Sequence, residues 1–281
     1  MLPIITVFGR EIGLYSLCAV IGLLVSGTLF GIRVKKVGLY VEDVVLLILC
    51  VVAGLVVGGS ALYGLTHVNI LIHLIASLPD YSLSQIWQVL QYCFGGSVYY
   101  GGLIGGTIAV FLYSRKKNGE TKAFLRDQYA VCIPLFHCFG RIGCFLGGCC
   151  YGIPSSFGFI AHGNTLVPEL NDVRRFPVAL TEAAAELALF LLLFLLQKKG
   201  KLSGKLIWLY GFLYAIVRFF LEFLRGDAIR GIWLGLSTSQ WISIALFIGC
   251  GLYFLLGHKA PVVQRDEGGS DGKQVKAPED L

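Results

Sequence analysis

The sequence predicts an all-α integral membrane protein with seven transmembrane helices. Hydrophobic residues make up 56% of its 281 residues and charged residues only 14%, against about 25% charged in a soluble domain. The mean hydropathy is +0.75. The apolar residues gather into seven runs, most of them long enough to cross about 30 Å of hydrocarbon as a helix. A soluble globular domain is excluded on these grounds, and no nucleic-acid partner is expected.

Met1 to Gly13 has no basic stretch and no small-residue cleavage site, so a removable signal peptide is not expected. The first span is Gly13 to Ile32 and the second Val44 to Leu65. Thr66 to Cys93 holds only short apolar patches, which read as interfacial or re-entrant pieces with Trp87 as a headgroup-level anchor. The third span is Phe94 to Tyr113 and the fourth Asp127 to Gly147, followed by a polar loop from Ser155 to Arg175. The fifth starts at Pro177, a residue suited to a first helical turn, and runs to Gln197. The sixth is Leu206 to Leu224 and the seventh Leu236 to Gly257. Residues 1–257 form one seven-span domain in this reading. The tail, 258–281, is polar and poor in large apolar residues, so disorder is expected there.

Alternation of the loops gathers sixteen of the 23 lysines and arginines on one side, and every lysine is among them. The other seven are Arg10, Arg141, Arg174, Arg175, Arg218, Arg225 and Arg230. The positive-inside rule then puts the C-terminus in the cytoplasm and the N-terminus outside. Arg10, Arg174, Arg175 and Arg230 read as interfacial anchors. Arg141, Arg218 and Arg225 fall within or at the end of apolar runs.

The chain is organised around Gly140 to Gly152, Gly-Arg-Ile-Gly-Cys-Phe-Leu-Gly-Gly-Cys-Cys-Tyr-Gly. An arginine near the bilayer centre costs about 2.5–3.5 kcal/mol on insertion scales, so Arg141 is expected to meet an anion or a carboxylate. The glycines strip away bulk and allow close approach. The stretch reads as an anionic lipid headgroup site, and guanidinium suits bidentate phosphate recognition.

Tyr210 to Arg225 carries the second element. At about 100° per residue, Glu222 falls about 40° from Arg218, and Arg225 about 20° to the other side. Tyr214 joins that face one turn earlier. A single charged stripe on a membrane helix turns toward protein or a wet cavity. Glu222 would neutralise one arginine and leave the second, which favours a functional over a purely structural stripe. Glu182 and Glu186 lie one turn apart in the fifth span and are expected to orient and partly neutralise these arginines. Gly101 to Gly105, Gly102 to Gly106 and Gly54 to Gly58 are small-residue pairs that permit close helix packing.

Of nine cysteines, Cys138, Cys144, Cys149 and Cys150 lie in or near the central stretch, with His137 beside them. A zinc site wants converging ligands, and the spacing lacks a paired C-x-x-C, so no metal is expected. Disulfide bonding and simple packing both stay open for these thiols.

Gly140-Arg141-Ile142-Gly143, with Phe145, Gly148 and Gly152, resembles the signature of the bacterial phosphatidylglycerol–prolipoprotein diacylglyceryl transferases. The resemblance covers most of the chain. Phe8 to Leu29 is similar to the family's first span, Tyr100-Gly101-Gly102-Leu103 to its His-Gly-Gly-Leu segment, and Phe176-Pro177 with Glu182 to its His-Pro-Ser-Gln-Leu-Tyr-Glu segment. Tyr210-Gly211, Arg218-Phe219, Glu222 and Arg225 resemble its Tyr-Gly-x-x-Arg-Phe-x-x-Glu-x-x-Arg segment, and Gln240 to Ser243 its last-span entry.

The resemblance implies a multi-pass enzyme of the bacterial inner membrane that needs no metal or nucleotide cofactor. It would move a diacylglyceryl group from phosphatidylglycerol to the lipobox cysteine of a prolipoprotein signal peptide and release glycerol phosphate. It implies catalytic roles for Tyr100, Arg141 and Arg218, and substrate contacts for Arg141, Arg225, Glu222, Glu182, Gly140 and Gly143. The chain departs from the family pattern in having Tyr100 for the usual histidine, and Cys144, Gly147 and Cys149 for Asn, Asn and Glu. Tyrosine, with a reference pKa near 10, is a poor base near neutrality. The departures leave three other readings beside the transferase: a relative acting on another acceptor or lipid, a non-catalytic lipid-binding scaffold, and a thiol redox protein using Cys149 and Cys150.

Overall fold

A computed structural model describes residues 4–7, 10–35, 39–164, 167–227 and 231–256. The tail at 258–281, Lys36 and Arg230 lie outside the described residues. A short antiparallel pair, β1 (Ile4–Val7) and β2 (Arg10–Gly13), leads into helix α1 (Leu14–Lys35). Helices α2 (Val41–Thr66), α3 (Val68–Ala76), α4 (Leu83–Phe94), α5 (Tyr99–Ser114) and α6 (Gly119–Gly147) follow. Strands β3 (Pro154–Ile160) and β4 (Arg174–Arg175) pair antiparallel ahead of α7 (Val178–Lys198) and α8 (Leu206–Leu221). A small pair, β5 (Ile232–Trp233) and β6 (Leu236–Ser237), precedes α9 (Thr238–Leu255).

Among the described residues six helices are long and apolar enough to cross a membrane, or seven if the pair α4–α5 counts as one span. That pair is bent by 86°. The third expected span is therefore not a straight rod. At about 1.5 Å per residue, the 16 residues of α5 reach about 24 Å, short of a bilayer core. The expected interfacial pieces between Thr66 and Cys93 are α3 and α4. Helix α4 starts in a capping box, with the Ser82 side chain accepting from the Gln85 N–H and Gln85 reaching back to the Ser82 N–H.

Helix α6 is the hub. It packs against α1, α5, α7 and α8, and it begins eight residues before the expected fourth span because Asn118 caps it, accepting the Thr121 N–H at 2.8 Å. Asp127, Gln128 and His137 on it are buried. Asp127 accepts the Gly204 and Leu206 N–H groups at 2.6 and 3.1 Å, which ties the α7–α8 turn to α6 and sets the height of α8. The main apolar core runs from Phe30 and Leu47 through Tyr129 and Leu193 to Tyr210 and Tyr214.

Helices α2 and α5 meet through the predicted glycines. A Cβ on Gly58 would overlap the Gly101 carbonyl, and one on Gly105 would overlap that of Gly54. Gly58→Leu is expected to destabilise the protein by at least about 1–3 kcal/mol through overpacking, read as a lower unfolding temperature in detergent. Gly27→Ala, with nothing within 4 Å of the new Cβ, serves as the neutral control. An unchanged unfolding temperature for Gly58→Leu would remove this contact from the account.

The polar stretch Ser155 to Arg175 is more than a loop. The pair β3–β4 and the 3-10 turn Pro168–Leu170 enclose a small core of Tyr151, Ala161 and Leu170. Asn171 accepts the Asn164 N–H at 2.8 Å and donates to the Asn164 carbonyl at 3.0 Å, closing the lobe across a turn.

Candidate active site

Three helices bring one charged chain into the interior. Helix α6 supplies His137 and Arg141, α7 supplies Glu182 and Glu186, and α8 supplies Arg218, with Glu222 in the 3-10 turn Glu222–Leu224 that follows it. Each of the first two pairs is spaced by four residues and so shares a helix face. Arg141 Nη2 lies 2.9 Å from Glu182 Oε1, and Arg218 Nη1 lies 3.6 Å from Glu182 Oε2. Arg218 Nη2 lies 2.8 Å from Glu222 Oε2 and donates to Ser239 Oγ at 3.2 Å. Glu182 is thus the shared anion between two guanidiniums. It is 1% exposed and Arg218 only 4%, so these are buried pairs rather than solvated ones.

His137 extends the chain. Arg141 Nε donates to His137 Nε2 at 3.2 Å, and His137 Nδ1 lies 2.8 Å from Glu186 Oε1. Arginine keeps its proton, so Nε2 is the accepting nitrogen and Nδ1 carries the ring hydrogen; its approach to Glu186 Oε1 is an ion-pair distance without hydrogen-bond alignment. Tyr99 stacks on the imidazole at 4.2 Å between ring centroids, and Tyr210 Oη donates to Glu186 Oε2 at 3.4 Å. Tyr100 Oη is buried and makes no hydrogen bond of good geometry among the described residues, although the Arg218 guanidinium and the Tyr214 hydroxyl face it. A largely apolar cavity of about 320 Å³ between α1, α2, α5 and α6 reaches this cluster at Tyr99, with Tyr15, Leu103 and Phe136 in its wall.

The chain matches the prolipoprotein diacylglyceryl transferase family over residues 3–256. It is 32% identical over 243 residues to the phosphatidylglycerol–prolipoprotein diacylglyceryl transferase of Clostridium tetani, covering 86% of this chain and 91% of the relative. It is 36% identical over 246 residues to such a transferase, numbered 2, of Clostridium perfringens, covering 86% and 87%. The chain belongs to the prolipoprotein diacylglyceryl transferase family. A third relative of the same name, from Finegoldia magna, is 27% identical over 265 residues, covering 93% of this chain and 97% of its own.

In this member of the prolipoprotein diacylglyceryl transferase family, Arg141, Arg218, Glu182 and Glu222 form one connected group. Two expectations about the arginines are corrected. Arg225 does not share the face of Arg218, because α8 ends at Leu221 and the chain leaves Arg225 extended at φ −85° and ψ 141°. Its backbone runs beside the central stretch, where the Gly226 N–H donates to Tyr151 O at 2.9 Å and the Ile153 N–H to Leu224 O at 3.0 Å. The second correction is to the surplus charge. Arg225 Nη2 pairs with Asp227 Oδ2 at 2.7 Å, so all three arginines have carboxylate partners. Burial is the largest single influence on Arg225 and opposes its charge, but the Asp227 hydrogen bond, the nearby Cys150 thiol and the Asp227 charge together hold the guanidinium above its ordinary pKa.

The glycines divide. A Cβ on Gly140 would meet nothing within 4 Å, whereas one on Gly143 would lie 3.0 Å from Cys18 Cβ and 3.2 Å from the Tyr15 backbone. Gly143 therefore seats α1 against α6, and its place is a helix contact rather than an open edge of the cluster.

The cysteines are the second surprise. All nine are free thiols. Gly148 ends α6 in the left-handed region at φ 73° and turns the chain back, so Cys149 donates to the Cys144 carbonyl at 3.7 Å. The sulfurs of Cys144, Cys149 and Cys150 all lie within 4.8 Å of one another. The αL turn thus brings together three thiols whose spacing carries no paired C-x-x-C. Arg141 Nη1 points at Cys150 Sγ at 3.8 Å and Arg225 Nη2 at 3.5 Å. Contacts from the Cys144 and Cys149 thiols, and then the two guanidiniums, hold the Cys150 thiol well below its ordinary pKa.

Sequence reasoning placed His137 only beside the cysteines, and passed over its tie to Arg141, Glu186's part in holding it, the stacking of Tyr99 and the pairing of Asp227. The four-residue step from His137 to Arg141, matching that from Glu182 to Glu186, was the available signal for the first two. Nothing local marked Tyr99, whose stacking depends on how α5 meets α6.

Proposed function

We propose that this enzyme transfers a diacylglyceryl group from phosphatidylglycerol to the lipobox cysteine of prolipoproteins, releasing glycerol phosphate. Family membership over nearly the whole chain supports the reaction class. The convergence of Arg141 and Arg218 on Glu182 carries the assignment of the site. The lipid phosphate binds beside these guanidiniums, with Arg225 at the edge and the acyl chains in the apolar cavity. The acceptor sulfur attacks the glycerol carbon that bears the phosphate ester. The carbon–oxygen bond breaks, and its electron pair goes to the departing phosphate. That group gains charge as the bond opens, so guanidinium contacts strengthen in the transition state and lower the barrier. Glu182 and Glu222 keep the guanidiniums ordered until the headgroup arrives, and Gly140 leaves open space beside Arg141.

Tyr100 occupies the place where the family pattern has a histidine. In this reading its hydroxyl relays the acceptor proton, taking it on the oxygen while passing its own away. Residues 1–257 form the catalytic domain in the bacterial inner membrane, with the C-terminus cytoplasmic and the arginine cluster toward the outer leaflet. That orientation rests on the lysine distribution.

The test is transfer from phosphatidylglycerol to a synthetic lipobox peptide, followed as a mass shift of one diacylglycerol. Tyr100→Phe is expected to slow transfer about 10²–10⁴-fold, the span for a lost acid–base group. Transfer at the wild-type rate by Tyr100→Phe would remove the relay. Consumption of phosphatidylglycerol with the peptide unmodified would move the enzyme to another acceptor.

A further inference from the structure

We infer that Cys144, Cys149 and Cys150 form a binding site for a thiophilic d¹⁰ cation of the Zn²⁺ class, whose open fourth position takes the acceptor thiol. The argument starts from the distances. A tetrahedral zinc with Zn–S bonds of about 2.3 Å sets its sulfurs about 3.8 Å apart. The three sulfurs here lie within 4.8 Å of one another, and Cys149 Sγ to Cys150 Sγ is 4.0 Å. Closing onto a metal needs shifts of under about 1 Å, whereas a disulfide needs about 2.05 Å between sulfurs.

The charge surroundings fit as well. Three thiolates and one divalent cation leave a net negative centre. Arg141 and Arg225, arriving from separate elements, both aim N–H groups at Cys150 Sγ, which is the outer-shell support that tunes a thiolate ligand. No fourth ligand is at hand: His137 Nε2 accepts from Arg141 and its Nδ1 lies against Glu186, and the metal-competent cluster among the described residues is limited to the three cysteines. Three protein ligands with one open position is the pattern of catalytic rather than structural zinc. Cys149 is exposed, so ion and thiol can reach the site.

This inference rests on the transferase reading for the identity of the fourth ligand. Binding to the metal makes the acceptor thiol give up its proton, which Tyr100 then relays away, since a coordinating thiol is deprotonated. The resulting thiolate attacks the glycerol carbon, the metal–sulfur bond to the acceptor is released, and the carbon–oxygen electron pair leaves with the phosphate. The site would relieve Tyr100 of acting as a strong base. It also joins two departures of this chain, the tyrosine at 100 and the cysteines at 144 and 149.

The experiment titrates reduced full-length protein in detergent with Co²⁺, which reports thiolate ligation through near-ultraviolet charge-transfer bands. One Co²⁺ per chain, displaced by Zn²⁺, is expected. Cys144→Ser and Cys150→Ser should each weaken binding by more than the about 10–100-fold typical of outer-shell losses, with unchanged unfolding temperatures marking folded variants. Adding a lipobox peptide should shift the bands, and the same peptide with serine for cysteine should not. No stoichiometric band in the wild type, bands indifferent to the peptide thiol, or recovery of the cluster as a disulfide from cells would overturn the inference. Cobalt bands with the expected peptide response in a protein that transfers no lipid would instead sink the transferase reading and leave the site standing.

Discussion

Arg141→Lys is expected to cut diacylglyceryl transfer about 10²–10³-fold, the loss that follows removal of one transition-state donor. The reason is geometric. The Arg141 guanidinium meets Glu182 at 2.9 Å, His137 at 3.2 Å and Cys150 at 3.8 Å with three different nitrogens. An ammonium is a single compact centre and cannot span those three directions while also facing a phosphate. The charge survives the substitution, so an effect confined to substrate attraction would raise KM alone. The expected fall lies in kcat, because donors placed around the leaving phosphate act as its charge develops. Initial rates over a range of phosphatidylglycerol in mixed micelles separate the two. A lysine variant with kcat within about tenfold of wild type would show that Arg141 serves as a charge only.

Glu182→Gln should give the largest stability loss of the substitutions considered. Glu182 is the carboxylate shared by Arg141 and Arg218, and it is 1% exposed. Its neutralisation leaves two buried guanidiniums without their common counter-charge, and breaking a buried pair costs about 3–5 kcal/mol. The measurement is thermal unfolding in detergent. Asp172→Asn is the contrast: that carboxylate sits 2.7 Å from His162 Nδ1, with both side chains more than two-thirds exposed, and such surface pairs contribute about 0–1 kcal/mol. Equal small shifts in the two variants would show that the interior chain is well solvated. A Glu182→Gln protein that stays folded yet binds phospholipid more tightly would indicate that Glu182 competes with the lipid phosphate for the arginines.

Much of the architecture was readable because it depends on local chemistry. Hydropathy finds six of the helices directly. The spacing of Gly54 and Gly58 against Gly101 and Gly105 anticipates the α2–α5 contact, since only residues without Cβ allow backbones that close. Arg218 and Glu222 pair as their four-residue step requires. The central stretch and the Tyr210 to Arg225 segment meet, as their charges in apolar surroundings suggested.

What stayed hidden depended on chain reversals. A helical wheel carries Arg225 onto the face of Arg218, but α8 stops at Leu221 and the flanking Leu224 and Gly226 pair with Ile153 and Tyr151 instead. Spacing along the chain separates Cys144 from Cys149 and Cys150, and one left-handed residue, Gly148, brings their sulfurs together. The bend between α4 and α5 sets Tyr99 on His137, which no periodicity announces.

By itself, then, the sequence determined that this chain spans a membrane, where most of its apolar helices lie, and that arginines sit among them, because the cost of placing polar groups in hydrocarbon is paid residue by residue. Only the tertiary structure decided which carboxylate each arginine faces and that three thiols share one corner. Those facts follow from helix ends, turns and packing between segments distant in sequence, where small changes in backbone angle redirect whole side chains.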